Sequence, residues 1–221
     1  MAKRERKLRM TIYDLDGTLL SGSTFTPFLI FGARRLAPWR LLLLPVWVAL
    51  MIGHKLGLIG RTALKHRGMR LMLGRPQPER LAEVARAFAE ARVARLHPGA
   101  RRAMEEDVRE GRRVLIATAA YLLYAEHIAR LLDVEEIIAS HWALEGELQP
   151  NCYGPEKLAR VRAWLAERGI AREDLHLRFV SDSFADAPLL DWADEGWFVT
   201  ARAGTARRAG QRGWRPVDFT R

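Results

Sequence analysis

The sequence predicts an α/β fold in which helices cover both faces of a parallel sheet. Short apolar runs rich in strand-forming residues alternate along the chain with stretches whose apolar residues recur every three or four positions. The chain has 221 residues, of which 49% are hydrophobic and 28% charged, enough to bury the core of one domain of ordinary size. Collagen-like and wholly disordered classes are therefore excluded.

Four apolar runs predict the strands of the sheet. Residues 8–13 (LRMTIY) are the first, and Asp16-Gly17 directly after them indicates a loop. The other three runs are 113–118 (RVLIAT), 177–182 (LRFVSD) and 196–200 (GWFVT). Helices are predicted between the runs from apolar stripes at Ala100, Met104 and Val108, at Ile128, Leu131 and Leu132, and at Leu158, Val161 and Leu165. Each of these helices is expected to cover one face of the sheet.

Residues 20–97 interrupt this alternation. They contain helical patterns, such as Leu81, Val84, Ala85 and Phe88, and no convincing strand. We interpret them as an inserted helical subdomain, with residues 1–19 and 98–221 forming the sheet domain. The prolines between 76 and 78 predict a break between two inserted helices, and Pro98-Gly99 predicts the return to the sheet domain.

Within the insert, residues 41–59 are apolar except for His54 and Lys55. This length is borderline for a membrane span, and three interpretations stay open: a buried helix bent near Pro45, an interfacial or re-entrant segment, and a span. A single span would place Asp14 on the opposite side of the bilayer from everything after residue 60. It would therefore separate residues that the motifs below predict to share one site.

Charge and cysteine content narrow the class of protein. The net charge of +10 favours anionic partners, whether nucleic acid, a phospholipid surface or a phosphorylated substrate. A single cysteine, Cys152, excludes an intrachain disulfide and a Cys-rich zinc site, and indicates a reducing compartment. The basic N-terminus runs into Asp14 and Asp16 where the apolar region of a signal peptide would lie, so we expect a cytoplasmic protein.

The strongest motif is Asp14-Leu15-Asp16-Gly17-Thr18, which follows the first predicted strand. Ligands bind at the carboxyl ends of strands in open α/β sheets. Two carboxylates so close together repel each other and favour a hard cation such as Mg²⁺. A calcium loop of the EF-hand type is excluded because its glycine belongs at position 6, whereas Gly17 falls at position 4. A solvated Asp-rich turn is the remaining alternative.

A second acidic motif, Ser181-Asp182-Ser183-Phe184-Ala185-Asp186, follows another predicted strand and is therefore expected at the same edge of the sheet. We predict that Asp182 completes the metal site. Asp186, four residues later, is predicted to contact the metal ligands or the metal-bound water and not the metal itself. The alternative is that Asp182 or Ser183 caps the helix predicted at 188–193.

Two further residues are predicted to bind an anion. Thr118 ends its strand, so that its hydroxyl and the N–H groups of Ala119 and Ala120 are expected to face an anion at the start of a helix. The alternative is a simple helix cap. Lys157 lies at the start of a predicted helix, after Gly154-Pro155. The alternative to anion binding is that Lys157 is a solvent-exposed charge.

These four elements, in this order, resemble the haloacid dehalogenase superfamily of phosphohydrolases. The helical insert after the first motif resembles the phosphoserine-phosphatase-like branch (subfamily IB), which implies a Rossmann-like core and a helical cap of the C1 type. The resemblance implies Asp14 as nucleophile and Asp16 as general acid and base. It also implies phosphate contacts from Thr118, Ala119 and Lys157, and a Mg²⁺ site formed by Asp14, Asp182 and the Asp16 carbonyl.

The sequence departs from true phosphoserine phosphatases at Ser23, where that branch carries a glutamate that recognises the substrate ammonium. The apolar insert and the segments GPEKLARV, SDSFADAPLL and RGWRPVDF resemble the bacterial phosphatidylglycerophosphatase C type. This resemblance implies a lipid head-group phosphate as substrate. We predict substrate contacts from Ser23, Arg61 and Tyr121, although Tyr121 has packing as its alternative.

A lipid substrate fits the composition of the insert. Trp39, Trp47 and the run 41–44 would sit in a lipid interface while neighbouring arginines meet the phosphates of an anionic membrane. Three other classes are alternatives: a soluble metabolite phosphatase, an inactive scaffold, and a nucleic-acid-binding module based on the C-terminal arginines. The full set of acidic residues disfavours the scaffold. The sequence contains no recognisable motif for reading DNA or RNA bases, which disfavours the nucleic-acid-binding module.

Overall fold

The computed structural model describes residues 7–142 and 149–221. Within them, six parallel strands form one sheet in the order β3-β2-β1-β4-β5-β6. The strands are β1 (Leu8–Tyr13), β2 (Arg113–Tyr121), β3 (Glu136–Ser140), β4 (Leu175–Ser181), β5 (Glu195–Val199) and β6 (Arg215–Val217). The predicted α/β fold with a parallel sheet is confirmed. The strand order reverses beside β1, which places the carboxyl ends of β1, β2 and β4 next to each other at the point where such sheets bind ligands.

Helices cover both faces of the sheet, as predicted. The helices are α1 (Phe25–Leu36), α2 (Leu44–Lys55), α3 (Arg61–Leu73), α4 (Pro78–Val93), α5 (Pro98–Arg109), α6 (Leu122–Leu131), α7 (Pro155–Glu167), α8 (Ala187–Trp192) and α9 (Ala203–Gly210). Helices α5 and α6 bury one face in a hydrophobic cluster that contains Tyr13 and Ile116. Helices α7 to α9 bury the other face in a cluster that contains Met10 and Ile12. The central strand is buried on both faces, which explains its nearly continuous apolar run.

Beneath the first face lies a buried ionic network around Asp107 of α5. The hydroxyl of Tyr13 donates to Asp107 Oδ2 at 2.6 Å, and the guanidinium of Arg178 donates to Asp107 Oδ1 at 2.7 Å. Arg112 Nε lies 3.6 Å from the same Oδ1. Both arginines also bind Glu195 at 2.9 Å. Burial, with the neighbouring Asp107 carboxylate, raises the pKa of Tyr13 far above its usual range. The network therefore ties α5 to β1, β4 and β5.

The sheet extends beyond the four predicted strands. Strand β3 and strand β6 were not predicted from the sequence. Strand β6 is three residues long, contains Pro216 and lies at the edge of the sheet, where the missing N–H of proline is tolerated. Strand β2 continues to Tyr121, three residues past its predicted end, with a shift of register between Ala117 and Tyr121.

Four helices, α1 to α4, lie between β1 and α5, where the sequence predicted a helical insert without fixing the number of its helices. The predicted break falls between Leu73, where α3 ends, and Pro78, where α4 begins. The two chain connections to this insert run side by side: Ser21 N donates to Arg95 O and His97 N donates to Leu19 O, both at 2.9 Å. These bonds support our proposal that residues 20–97 form a cap on a core domain.

The cap packs directly on the core. The ring of Tyr124 in α6 lies 4.5 Å from Phe28 and 5.3 Å from Phe88, measured between centroids. Phe28 and Phe88 belong to α1 and α4, and all three side chains are buried. These aromatic contacts make the cap and one face of the sheet share a single hydrophobic cluster.

The apolar segment 41–59 divides into three pieces. A 3₁₀ helix covers Pro38–Leu43, α2 follows from Leu44, and turns occupy residues 56–59. The change of helix type falls beside Pro45, near the predicted bend. Throughout residues 7–142 and 149–221, no helix combines the length and the apolar character needed to cross a membrane. Burial of this segment is one-sided: Trp47 is buried, whereas Leu42 is 81% exposed.

Candidate active site

A pocket of about 300 Å³ opens at the carboxyl edge of the sheet. Asp14 follows β1, Asp182 follows β4 and Thr118 lies in β2, so three adjacent strands deliver these side chains to one place. The pocket is lined by Asp14, Asp16, Gly17, Gly22, Ser23, Arg61, Thr118, Ala119, Tyr153, Lys157, Asp182, Ser183 and Asp186. Nine of the eleven predicted site residues are in this set, and Ala120 and Tyr121 are the exceptions.

The Asp14 carboxylate faces the ammonium of Lys157. Lys157 Nζ lies 3.0 Å from Asp14 Oδ1 and 2.6 Å from Asp186 Oδ2, and Lys157 is 1% exposed. Ser181 Oγ donates a further hydrogen bond of 2.8 Å to the same oxygen of Asp186. Asp186 therefore holds Lys157 in place, a contact that the sequence did not reveal. The two carboxylates raise the pKa of Lys157 against the effect of its burial, so the amine stays protonated.

Two carboxylates, those of Asp14 and Asp186, share the ammonium of Lys157, and the pKa of Asp14 is raised as a result of its surroundings. Burial raises the pKa of Asp14 well above its usual range, Lys157 lowers it, and the nearby charges of Asp186 and Asp182 raise it further. The backbone fixes the position of Asp14 through the bond from its N–H to Val180 O at 2.9 Å. An ionised Asp14 is thus a carboxylate with little water around it, directed into the pocket.

Asp182 is held against the loop that follows β1. Its N–H donates to Thr18 Oγ1 at 2.9 Å, and the Thr18 hydroxyl donates to Asp182 Oδ1 at 3.3 Å. Burial raises the pKa of Asp182 to about 6. Gly17 has φ of +79°, and a Cβ at that position would lie 2.2 Å from Asp182 Oδ2. Glycine at position 17 therefore permits both the turn and the close approach of this carboxylate.

Asp16 is fixed by the cap. Its Oδ1 accepts a 3.0 Å hydrogen bond from the N–H of Thr24, the residue that precedes α1. Burial raises the pKa of Asp16, and the bonds from Thr24 lower it. The second carboxylate of the first motif thus points toward the cap, whereas the first points toward Lys157. This division gives the two carboxylates different environments.

A family model described as haloacid dehalogenase-like hydrolase matches residues 11–191. The chain belongs to this family. The prediction of an enzyme of this hydrolase class is therefore confirmed, and both acidic motifs, Thr118 and Lys157 lie within the matched residues. The sequence resemblance to the broad family is confirmed with it.

Two curated relatives match this haloacid dehalogenase-like hydrolase in part. A Streptomyces azureus protein named "Inhibition of morphological differentiation protein" is 30% identical over 125 residues, which are 53% of this chain and 44% of that protein. A Neisseria meningitidis serogroup C (strain 8013) histidinol-phosphatase is 28% identical over 156 residues, 66% of this chain and 70% of that protein. The chain thus spans less than half the length of the Streptomyces relative.

Solved structures share the fold of this hydrolase over its whole length. A Bordetella pertussis Tohama I protein of unknown function has a TM-score of 0.83 at 24% identity, covering 96% of this chain and 99% of that one. A substrate-bound phosphoserine phosphatase has a TM-score of 0.60 at 13% identity, covering 99% and 95%. These similarities show the sheet with its helices and its inserted helical region.

The hydrolase offers oxygen ligands suited to Mg²⁺. In the part of the chain that the structure describes, no three His, Cys, Asp or Glu side chains converge as a metal site. The predicted set uses two carboxylates, those of Asp14 and Asp182, and the main-chain carbonyl of Asp16. Both carboxylates line one pocket, and the charge of Asp182 raises the pKa of Asp14. Hard oxygen donors that repel each other in this way fit a divalent cation.

The structure corrects the predicted anion contacts after β2. The sequence placed Thr118, Ala119 and Ala120 at the start of a helix, but α6 begins at Leu122. Ala120 N–H donates to Thr118 Oγ1 at 3.0 Å and is therefore engaged. Thr118 Oγ1 keeps its own proton to donate, and Thr118 and Ala119 both line the pocket. The extra strand length explains the difference, since the irregular end of β2 bends the chain before the helix begins.

A second pocket, of about 180 Å³, continues from the first into the cap. We call it the cap pocket; it shares Asp16, Ser23, Arg61 and Ala119 with the first, and adds Phe25, Thr26, Trp47, Met51, His54, Leu64, Lys65 and Ala120. The guanidinium of Arg61 stacks on Tyr153, 3.8 Å from the ring centroid. The sequence analysis did not predict Tyr153 as a site residue. The signal that could have indicated it is its position directly before Gly154, the residue that precedes α7.

Tyr121 and Lys65 lie at the wall between the two pockets. Tyr121 is buried, lies outside both sets of lining residues, and packs on Phe25 with ring centroids 5.7 Å apart. Lys65 Nζ lies 4.1 Å from the centre of the Tyr121 ring and donates to Ala119 O at 2.6 Å and Asn151 Oδ1 at 2.9 Å. Burial lowers the pKa of Lys65 to about 7. Lys65 therefore joins α3 of the cap to the loop that carries Ala119.

Proposed function

We propose that this haloacid dehalogenase-like hydrolase is a Mg²⁺-dependent phosphatase of phosphomonoesters that acts through an aspartyl-phosphate on Asp14. The observation that carries the proposal is the buried contact of 3.0 Å between Asp14 Oδ1 and Lys157 Nζ at the carboxyl edge of the sheet. A carboxylate nucleophile beside a protonated amine suits attack on an anionic phosphorus centre. The acidic residues around them supply the proton transfer and the metal ligands.

In the first half-reaction, an Asp14 oxygen attacks phosphorus, and the bond from phosphorus to the leaving oxygen breaks. Asp16 gives its proton to that oxygen, so that an alcohol leaves. The raised pKa of Asp16 favours the protonated acid needed here. In the second half-reaction, Asp16 takes a proton from water as the water oxygen attacks the phosphoryl group. The Asp14–phosphorus bond then breaks, which restores the Asp14 carboxylate and releases inorganic phosphate.

Lys157 and Thr118 bind the phosphoryl oxygens in this proposal. The Lys157 ammonium stabilises the negative charge that develops during transfer, and the Asp186 carboxylate at 2.6 Å keeps it in position. The Thr118 hydroxyl and the Ala119 N–H are assigned to the remaining oxygens. When bound by Asp14, Asp182 and the Asp16 carbonyl, Mg²⁺ supplies positive charge that reduces repulsion between nucleophile and phosphate.

The charges of the cap pocket favour an anionic or neutral leaving group over an amine. Arg61 contributes a cation, Lys65 is only partly charged near neutral pH because burial lowers its pKa to about 7, and Asp16 is the acidic residue among those that line the pocket. Asp16 is engaged by Thr24 and assigned to proton transfer, so an ammonium would meet like charge without a free carboxylate. Ser23 provides a neutral hydroxyl at the place where phosphoserine phosphatases carry glutamate. Phosphoserine and histidinol phosphate, which both carry an amine, are therefore disfavoured.

We further propose a lipid head-group phosphate, such as that of phosphatidylglycerophosphate, as the substrate. Its leaving group carries a phosphodiester anion, which complements the guanidinium of Arg61. This follows the narrower sequence resemblance to the phosphatidylglycerophosphatase C type within the phosphoserine-phosphatase-like branch. It implies action at the cytoplasmic face of an anionic membrane. A soluble metabolite phosphatase is the second candidate, favoured by the histidinol-phosphatase name of one relative.

Phosphate release from a panel of substrates tests both candidates. The purified full chain is assayed with Mg²⁺ on phosphatidylglycerophosphate in mixed micelles, glycerol 3-phosphate, phosphoserine and histidinol phosphate. We expect release from the lipid and little from the two amines. Preference for an amine would overturn the charge argument for the cap pocket, and release from soluble esters alone would overturn the lipid substrate. No release from any phosphomonoester would contradict the proposed function.

Binding of Mg²⁺ is expected to raise the melting temperature by several degrees at pH 8 and much less at pH 5.5. Asp14 and Asp182 must be ionised to bind the cation, and their pKa values are raised, that of Asp182 to about 6. Protons therefore compete with Mg²⁺ as the pH falls through this range. Thermal melts with and without Mg²⁺ measure the shift, and Asp182→Asn is expected to abolish it at pH 8. An unchanged shift in that variant would remove Asp182 from the metal site.

A further inference from the structure

One surface of the cap exposes apolar side chains to solvent. Among the described residues, seven of the ten exposed large hydrophobic side chains lie between positions 39 and 58. We call these seven the apolar face: Trp39, Leu42, Val46, Val48, Ile52, Leu56 and Leu58, whose exposures reach 81% at Leu42 and 78% at Leu58. Concentrated exposure of this kind marks an interaction surface rather than scattered surface apolarity.

Helix α2 explains why this face has no partner within the chain. Its sequence, LPVWVALMIGHK, is apolar on all sides until its last two residues. Trp47, Met51 and His54 recur at three- or four-residue steps and line the cap pocket, while Val46 and Ile52 are exposed. A helix that is apolar all round normally has apolar surroundings on every side. Here one side meets the cap interior and the other meets solvent.

The charges around the apolar face select its occupant. Residues 17–78 contain nine Lys and Arg and no Asp or Glu. Seven of the nine are exposed. Along the chain, Arg34 and Arg35 precede the apolar face, Lys55 lies within its range, and Arg67 follows it. A second copy of this region would bring like charges together. A surface that combines exposed apolar side chains with unopposed positive charge complements the interface of an anionic bilayer.

We propose that the apolar face docks the cap onto a phospholipid bilayer that contains anionic lipids. The side chains of Leu42, Leu56 and Leu58 enter the interfacial region, and the surrounding Lys and Arg side chains contact the lipid phosphates. The cap pocket then lies on the other side of α2, about one helix diameter, ~10 Å, from the interface. Docking requires no catalysis, so it can be tested independently of the proposed function.

Vesicle flotation tests the docking. The full chain is mixed with phosphatidylcholine vesicles that contain or lack phosphatidylglycerol. We expect binding to the anionic vesicles and at least a roughly tenfold loss of partition in the triple variant Leu42→Ser/Leu56→Ser/Leu58→Ser. The matched control replaces the remaining three exposed apolar side chains, Leu8→Ser/Val108→Ser/Leu131→Ser. It is expected to bind like the wild type.

A fluorescent label gives a local readout that a folding defect would not reproduce. The native Cys152 is buried, so a thiol-reactive, environment-sensitive dye is directed to Leu56→Cys or, as control, to Leu131→Cys. We expect a blue shift on anionic vesicles at position 56 and none at position 131. Equal vesicle binding by wild type and the first triple variant would overturn the proposal. A wild-type dimer that this variant converts to monomer, without vesicle binding, would instead assign the face to a second copy.

Discussion

Replacing Asp14 with asparagine is expected to reduce phosphate release at least about a thousandfold. The amide cannot attack phosphorus as a carboxylate does, so the aspartyl-phosphate does not form. The measurement is Mg²⁺-dependent phosphate release on the best substrate of the panel, with Asp174→Asn as the matched control. Asp174 is an exposed aspartate beside the opposite end of β4, and its replacement is expected to leave release unchanged.

The same variant should retain its fold. Burial raises the pKa of Asp14, which means that ionising this carboxyl costs more in the folded chain than in the unfolded chain. Asparagine has no such cost, and Lys157 keeps Asp186 as its partner at 2.6 Å. At pH 8 without metal, Asp14→Asn is therefore expected to melt at or above the temperature of the wild type. Full activity in a well-folded Asp14→Asn protein would contradict Asp14 as the nucleophile.

Replacing Asp107 with alanine is expected to cost about 3–5 kcal/mol of the free energy of unfolding. Asp107 is fully buried and accepts bonds from Tyr13 and Arg178 at 2.6 and 2.7 Å. Its removal leaves Arg178 with Glu195 at 2.9 Å, and leaves Arg112, whose side chain is 2% exposed, with Glu195 at 2.9 Å and the partly exposed Glu110 at 3.4 Å. Buried charge without adequate compensation is among the largest single causes of instability.

Denaturant unfolding measures this cost. The matched control is Glu126→Ala, which breaks the exposed pair of Glu126 and Arg130 within α6 and is expected to cost about 0.3–0.5 kcal/mol. A loss below about 1 kcal/mol in Asp107→Ala would show that the two arginines find other partners or water. Asp107 lies on α5, away from the pocket residues, so the variant is also expected to keep its substrate preference.

Much of the architecture is readable from local sequence. The run LRMTIY followed by Asp-Gly defines β1 and its loop because a strand buried on both faces is apolar almost throughout. The helical cap follows from apolar spacing and from prolines that end helices. Asp14, Asp182 and Thr118 meet in the pocket because motif residues at the carboxyl ends of parallel strands all lie at one edge of the sheet. Strands β3 and β6 escaped prediction because short edge strands have little local signal.

The tertiary structure decided what depends on residues far apart in the chain. Lys157 and Asp186 are 29 residues apart, and their 2.6 Å contact exists only once α7 packs beside the loop after β4. Tyr121 moved from a predicted substrate contact to packing because β2 continues past Thr118. The sequence alone determined that residues 41–59 are apolar. Which of those side chains face the cap pocket and which face solvent was decided by packing, because a helix that is apolar all round has no pattern to orient it.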